Sequence, residues 1–534
     1  MLALVLMLPV LAVLGSWLPV GQGDALAGSI LREMAATVLP GYLWTTVWLG
    51  LLVALGAAIV GTGTAAAVTL FDFRGRRQLE WLLLLPLAMP AYVTAYAYTD
   101  FLQFSGPLQT WLRDTYGLEG RLLPEVRSLG GAVWVFIFSL YPYVYLLART
   151  ALGERAAHLM EAARLMGAPL SRRIWSVALP LARPAVAAGV ALVVMETLAD
   201  FGVVSYFGIQ TFTTGIYKAW LSMDNRIAAA QLATFLLVLV VLLLQLELRA
   251  QRRMRFVTGS TGRASSAEAQ PLRLRGWRCA LAWLACLLPV LMGFVAPVFF
   301  MLRPLAADWS VLPWDRFLDW GLNSVRLGTI TSVLAVIIAV ALAFAVRRHK
   351  ESAVTRGVVQ LASLGYAVPG AVVVVGLLLP VGWVQQVRPE WGFAGLVTAT
   401  AVGIVWAYLV RFCAVALQSM QSGYARIAPS LDDSARMLGT GAWGMLSRVH
   451  WPLLRRSTAA AALLVFVDVM KELPATMVLR PFNSDTLAVV AYQLARDERL
   501  GEAALPSLAL VLVGLIPVIM LSRTLRAERP GTAR

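Results

Sequence analysis

Charge is scarce in this chain of 534 residues. Charged side chains make up only 14% of it, whereas hydrophobic residues make up 59%. Ordinary globular domains carry about 25% charged residues, and a soluble protein could not cover so much apolar surface with so few charges. The composition therefore excludes a set of soluble domains and predicts an all-α protein whose helices lie in membrane lipid.

Histidine and cysteine are also rare, with three of each. Cys279, Cys286 and Cys413 lie inside apolar segments, and their spacing fits neither a metal site nor a redox pair. We interpret them as small buried hydrophobic residues and predict no metal site. We also find no combination of nucleophile, base and metal that would favour a membrane-embedded enzyme.

Basic residues exceed acidic ones, which gives a net charge of +16. Such a charge often indicates nucleic acid as a partner, but here the arginines lie in short loops between apolar runs, so we predict none. The basic clusters at 74–77, 347–350 and 523–534 fall on one side of the membrane, which should be the cytosol. Three arginines at 102–128 lie on the other side, offset by three acidic residues. Both termini are predicted to be cytosolic.

Apolar runs of about 20 residues can cross a bilayer as helices. Twelve such runs occur, at roughly 2–20, 42–70, 81–104, 129–149, 183–205, 227–248, 277–302, 324–346, 357–384, 393–418, 456–478 and 504–522. The first run precedes Ala25-Leu26-Ala27, which resembles a signal-peptidase site. No basic residue precedes that run, so we interpret it as a retained helix.

One loop occurs twice in the same frame, 272 positions apart. The first copy runs from Glu161-Ala162-Ala163 through Gly167 to Pro180, and the second from Asp433-Ser434-Ala435 through Gly439 to Pro452. A period this long indicates a domain duplication, not a solenoid repeat. We predict two homologous six-helix halves, 1–249 and 277–534, joined by a small, polar and basic cytosolic linker at 250–276.

The two loops, at 150–182 and 419–455, are each predicted to contain a short amphipathic helix that Gly167 or Gly439 ends. The residues that give the first helix an apolar face are Ala162, Ala163, Leu165 and Met166. A short amphipathic helix in the cytosol either lies in a groove of a partner or rests on its own bundle or the membrane surface. Two copies in register favour a duplicated docking site.

The spacing of these loops resembles a family signature. Glu-Ala-Ala, three residues, Gly, nine residues, Ile/Val, any residue and Leu-Pro is the pattern of ABC importer permeases of the binding-protein-dependent type. The first copy matches nearly throughout, whereas the second departs at Asp433, Ser434 and Trp451. The resemblance implies a duplicated MetI-like permease fold in the bacterial inner membrane. It also implies that Glu161 to Gly167 and Asp433 to Gly439 form coupling helices that sit in a cleft of an ATPase subunit.

Lysine is too scarce for this chain to bind ATP itself. A phosphate-binding P-loop needs Gly-Lys-Ser/Thr, but Lys218, Lys350 and Lys471 are followed by Ala, Glu and Glu. The chain is therefore predicted not to be an enzyme and to bind no cofactor. The resemblance implies two ATP-binding cassette subunits in the cytosol, which use ATP and Mg.

Five charged residues lie deep inside predicted spans. Glu196 and Asp200 follow the first loop, and Asp468, Lys471 and Glu472 take the corresponding places after the second. Glu196 and Asp468 lie about 18 Å into their helices, near the middle of the apolar layer. Charged groups there usually face a bundle interior or a wet cavity. Asp468 and Lys471 could pair within their helix, but we predict that all five line or gate the translocation pathway.

The cargo is indicated by a closer resemblance. Residues 195–207, 465–482 and 485–506 resemble ferric-iron importer permeases, and the similarity covers essentially the whole chain. It implies a periplasmic binding protein that delivers iron and carries the selective ligands. Relatives with the same fused layout import thiamine or aminoalkylphosphonates, so these cargos stay open, as does a secondary transporter that needs no ATPase.

Overall fold

The structure is a computed structural model. It describes residues 2–17, 32–153, 157–258, 272–310, 312–348 and 353–527. In that part of the chain the secondary structure is helical apart from two strands of two residues each, β1 (Phe71–Asp72) and β2 (Leu272–Arg273), which pair in parallel. The predicted all-α class is confirmed.

The described helices form two series, one in each sequence half. In the first half they are α1 (Leu2–Gly15), α2 (Leu39–Leu70), α3 (Arg76–Leu82), α4 (Ala91–Leu102), α5 (Pro107–Tyr116), α6 (Leu129–Ala151), α7 (Ala157–Leu165), α8 (Leu170–Arg173), α9 (Leu179–Ala199), α10 (Gly202–Tyr206), α11 (Phe212–Tyr217) and α12 (Arg226–Thr258). In the second half they are α13 (Trp277–Val290), α14 (Ala296–Ala307), α15 (Trp314–Arg348), α16 (Ala353–Leu364), α17 (Gly370–Val387), α18 (Phe393–Thr398), α19 (Ala401–Ala425), α20 (Pro429–Met437), α21 (Ala442–Gly444), α22 (Trp451–Lys471), α23 (Pro474–Leu479), α24 (Leu487–Arg496) and α25 (Leu500–Ala527).

Among the described residues, nine helices are long and apolar enough to cross a membrane, or ten if one bent pair counts as a span. These nine are Leu39–Leu70, Leu129–Ala151, Leu170–Ala199, Arg226–Leu246, Trp277–Ala307, Trp314–Arg348, Gly370–Val387, Ala401–Ala425 and Leu500–Ser522. They establish a multi-pass helical membrane protein, but they do not confirm the predicted number of twelve spans.

Three predicted spans account for the difference. α1 has 14 residues, which is too short to cross a bilayer as a helix. The predicted span at 81–104 is bent by 89° between Arg76–Ala88 and Ala91–Tyr116, where Pro90 takes an extended backbone conformation. α22 has 21 residues, but four charged side chains lower its hydropathy.

The helices pack into two compact units, and neither unit is a single sequence half. One unit contains Met1–Ala36, Gly215–Leu237 and Pro313–Gln493, and the other contains Thr37–Thr214, Val238–Leu312 and Leu494–Arg534. In the first, here called the α15 unit, α15, α19 and α22 form the centre and α1 packs against α17. In the second, the α2 unit, α2, α6 and α9 form the centre and α14 packs against α25. Each unit thus combines a centre from one half with helices from the other. The compact units therefore do not coincide with the predicted halves, whose boundaries were inferred from the sequence repeat alone.

The helix α1 is closely packed in the α15 unit. A side chain at Gly376 would collide with the carbonyl oxygen of Pro9, so the absence of a Cβ there allows α1 and α17 to touch. The indole nitrogen of Trp406 donates to the carbonyl oxygen of Val5 at 3.0 Å. These contacts attach the start of the first half to helices of the second.

The centres of the two units repeat with the offset found in the sequence. α7 and α20 end at equivalent positions, 165 with 437, and α9 and α22 begin and end at equivalent positions, 179 with 451 and 199 with 471. The sequence repeat is therefore a repeat of three-dimensional structure as well.

Candidate functional site

The two loop helices, α7 and α20, end in the same way. Gly167 follows α7 with φ +79°, and Gly439 follows α20 with φ +75°. The N–H of Gly167 donates to the carbonyl of Arg164 at 2.9 Å, and that of Ala168 to Ala163 at 3.0 Å; the second loop repeats both bonds at the same distances. This is a Schellman ending, in which glycine takes the left-handed conformation without strain. Both glycines end their helices as predicted.

Each loop helix has a buried side and a strongly exposed end. Ala163 and Ala435 are buried at equivalent positions. The exposed apolar side chains are Leu165 (83% exposed), Met166 (81%), Met437 (90%) and Leu438 (85%). The predicted apolar face of the first helix is thus divided, because Ala163 is buried while the other three residues are exposed. Matched, exposed apolar groups outside the candidate spans indicate an interaction surface.

The remaining loop residues take equivalent places. Pro180 and Pro452 lie in the first turns of α9 and α22. Because proline cannot donate a backbone hydrogen bond, the chain just before each widens into a π turn, Ile174–Ala178 and Met445–His450. Asp433 is exposed and pairs with Arg436 at 3.4 Å, and Ser434 is exposed too. The side chain of Glu161, the first-copy equivalent of Asp433, lies outside the described part of the structure.

Asp432, the residue before Asp433, was not among the site residues predicted from the sequence. Its carboxylate is buried and accepts a hydrogen bond from Nε of Arg347 at 2.6 Å, while Nε2 of His450 lies at 3.0 Å. Burial acts to raise the pKa of Asp432, but the hydrogen bonds and charges of Arg347 and His450 outweigh it and hold the pKa below its usual value. The only signal in the sequence was a second acid beside Asp433, where the first copy has Met160.

The spans that follow the loops break at the two matched acids. α9 ends one residue before Asp200 and α22 one residue before Glu472, and both acids take an extended backbone conformation. Oδ1 of Asp200 accepts from the N–H of Val203 at 2.8 Å; the Glu472 carboxylate accepts from the N–H groups of Ala475 and Thr476, each at 3.0 Å. Each acid lies one residue before the N-cap position, and its side chain thus caps the first turn of the short helix that follows, α10 or α23. The predicted spans at 183–205 and 456–478 therefore continue past the true helix ends.

The second break carries a buried ion pair. Nη1 of Arg411 donates to Oε1 of Glu472 at 2.9 Å, with side-chain exposures of 11% and 1%. The Thr476 hydroxyl lies 2.7 Å from Oε2 of Glu472 and 2.6 Å from the hydroxyl of Tyr408. Both carboxylate oxygens are therefore engaged. The position equivalent to Arg411 in the first half is Ser139, so the two breaks have different electrostatics.

The other predicted pathway residues are half-buried and lie before the breaks. Glu196 and Asp468 occupy equivalent positions one turn before Asp200 and Glu472. Lys471 interacts electrostatically with Asp468, as their spacing on α22 predicts. Among the described residues, no group of three or more His, Cys, Asp or Glu side chains could hold a metal ion. Glu472 is thus engaged in contacts that hold the local structure together. Glu196 and Asp468 lie at equivalent positions and are partly exposed.

The segment that contains the first loop and the first break is similar to a known protein family. Residues 57–256 match the family described as the binding-protein-dependent transport system inner membrane component. Residues 57–256 belong to this family. The permease signature that the first loop resembles is therefore supported by a match extending from α2 into α12.

Two relatives extend the similarity to most of this chain. It is 25% identical to the Fe(3+)-transport system permease protein FbpB 2 of Haemophilus influenzae, over 90% of this chain and 89% of that protein. It is 24% identical to the probable ABC transporter permease protein y4fN of Sinorhizobium fredii, over 92% and 88%. A putative 2-aminoethylphosphonate transport system permease protein, PhnV of Salmonella typhimurium, is 26% identical over 76% of its length but only 41% of this chain. The similarity to the first two of these permeases thus extends over both sequence halves of this multi-pass inner-membrane protein.

Proposed function

We propose that this permease is the membrane subunit of an ATP-driven importer, in which α7 and α20 are coupling helices that receive two cytosolic ATPase subunits. The observation that carries the proposal is the matched pair of loop helices, each ended by a left-handed glycine and each bearing two exposed apolar side chains. The basic clusters at 74–77, 347–350 and 523–534 favour a cytosolic position for both loops.

The path from each coupling helix to its span is short. α7 connects to α9 through α8 and one π turn, and α9 then runs about 30 Å to the break at Asp200. α20 connects in the same way to α22 and to the break at Glu472. An ATPase that binds the inward- and outward-open states with different affinity would shift the permease between them by moving these helices.

Ferric iron, delivered by a periplasmic binding protein, is the proposed cargo. The Fe(3+)-transport permease relative supports it, because the similarity spans 89% of that protein and both halves of this one. The partly exposed carboxylates of Glu196, Asp200 and Asp468 supply oxygen groups, which suit a hard cation. An aminoalkylphosphonate is the second candidate, supported by the half-length relative.

Deletion of the gene is expected to abolish high-affinity uptake of iron-55 and to slow growth under iron limitation, and a plasmid copy is expected to restore both. Growth on 2-aminoethylphosphonate as the sole phosphorus source serves as the control. Normal iron uptake together with loss of growth on the phosphonate would transfer the assignment to the second cargo.

Asp200→Asn is expected to reduce transport about tenfold or more while ATPase binding is preserved. The amide oxygen of Asn can still accept from the N–H of Val203, so the cap is retained and only the charge is lost. Interactions of charged groups contribute about 1.5–3 kcal/mol, which sets the expected size. The measurements are uptake in cells and co-purification of the ATPase. Undiminished uptake would assign Asp200 to capping alone.

A further inference from the structure

The second coupling helix is attached to its unit by a buried charged cluster. Asp432 on α20 lies between Arg347 and His450, at 2.6 Å and 3.0 Å, and the side chains of all three are at most 11% exposed. The Tyr424 hydroxyl lies 3.4 Å from Nδ1 of His450, and the two rings meet edge to face. The cluster therefore places a buried carboxylate of α20 among partners from outside that helix.

These partners come from three other elements. Arg347 lies in the last turn of α15, and its Nη2 also donates to the carbonyl oxygen of Ile427 at 2.9 Å, just beyond the end of α19. Tyr424 lies in the last turn of α19, and His450 ends the π turn that leads into α22. Asp432 thus bonds α15 and the π turn before α22 directly, and it is linked to α19 through Arg347 and His450.

The first half has apolar residues at three of the equivalent positions, one of them on the first coupling helix. Asp432, Tyr424 and His450 correspond to Met160, Leu152 and Ala178. All three are buried. A charged cluster of the first half joins α3 to α6, where Glu80 pairs with Arg76 at 3.5 Å and with Arg149 at 3.4 Å. At these three equivalent positions the two halves therefore differ, with polar or charged side chains in the second half and apolar ones in the first.

We propose that Asp432 is a positioning residue that clamps the second coupling helix to α15, α19 and α22, so that this loop moves with the centre of its unit. Apolar contacts tolerate sliding, whereas a buried carboxylate between a guanidinium and an imidazole loses several directional bonds when the helix shifts. The second loop is then a stiff link between ATPase and permease. This inference rests on the proposed coupling role of the loops.

Hydrogen exchange on the purified permease in lipid nanodiscs tests the clamp without any partner. Asp432→Asn is expected to speed exchange of the amides at 430–440 about tenfold and to leave 157–168 unchanged. Glu80→Gln, which weakens the partly buried ion pairs between α3 and α6 in the first half, is the matched control and should leave 430–440 as in the wild type. In an Arg347→Gln background, Asp432→Asn should add little, because the two residues act together.

The second readout is ATP hydrolysed per cargo in the complex with its ATPase, which Asp432→Asn is expected to raise at least about fivefold. If Asp432→Asn does not reach the membrane, His450→Gln, which keeps the pair with Arg347, should give smaller changes of the same direction. Unchanged exchange at 430–440, or faster exchange with a wild-type ATP ratio, would overturn the clamp. A wild-type complex without ATP-driven uptake would instead contradict the proposed function, and the exchange experiment would still decide whether the clamp exists.

Discussion

Glu472→Ala is expected to destabilise the permease by about 3–5 kcal/mol, because it leaves Arg411 buried without its carboxylate partner. It also removes the acceptors for the N–H groups of Ala475 and Thr476, so that α23 loses its cap. The measurement is the unfolding midpoint of the purified protein in detergent, together with the yield of membrane-inserted chain.

Two further variants separate the ion pair from the cap. Asp200→Ala removes the equivalent cap in the first half, where Ser139 replaces Arg411, and should cost only about 1 kcal/mol. Glu472→Ala combined with Arg411→Met should recover part of the loss, since no buried charge is then left alone. Equal losses from Asp200→Ala and Glu472→Ala would mean that the ion pair contributes no stability beyond the cap.

Gly167→Asp is expected to insert normally but to weaken ATPase association about tenfold and to abolish most transport. A Cβ at Gly167 would meet no atom within 4 Å, so the substitution creates no clash. It does force a side chain into the left-handed conformation at φ +79°, at a cost of about 1–2 kcal/mol, and it places a negative charge beside the exposed Leu165 and Met166. The measurements are co-purification of the ATPase and ATP-driven uptake.

Gly117→Asp is the matched control for this substitution. Gly117 also ends a helix, α5, with φ +63° and open space around it, but it lies outside both loops. The same backbone strain there should leave ATPase association unchanged. An equal loss in both variants would show that the effect of Gly167→Asp is general destabilisation and not loss of docking.

The sequence predicted features that depend on local patterns. The loop repeat, the glycines that end α7 and α20, and the multi-pass helical class all follow from spacing and hydropathy. The helix breaks were not predicted, because hydropathy continues through Asp200 and Glu472 while the break depends on their capping hydrogen bonds. The length of α1 was not predicted either, because the length of an apolar run sets only an upper limit to the length of the helix within it.

Long-range packing was beyond the reach of sequence patterns. The order of the chain suggests that α1 packs with the first half, but it packs on α17, since any apolar helix of suitable shape can fill that place. Asp432 meets Arg347 across 85 positions of sequence. A single sequence gives no signal for such a contact.

Site-specific photo-crosslinking from Leu165 and from Met437 in living cells tests the central claim most directly. A photoreactive residue at either position should capture a cytosolic ATP-binding cassette subunit. The same residue at Trp111 in α5, an exposed position on the opposite predicted side, should not. Capture of periplasmic proteins from Leu165 and Met437, with no ATPase adduct from either, would contradict the account.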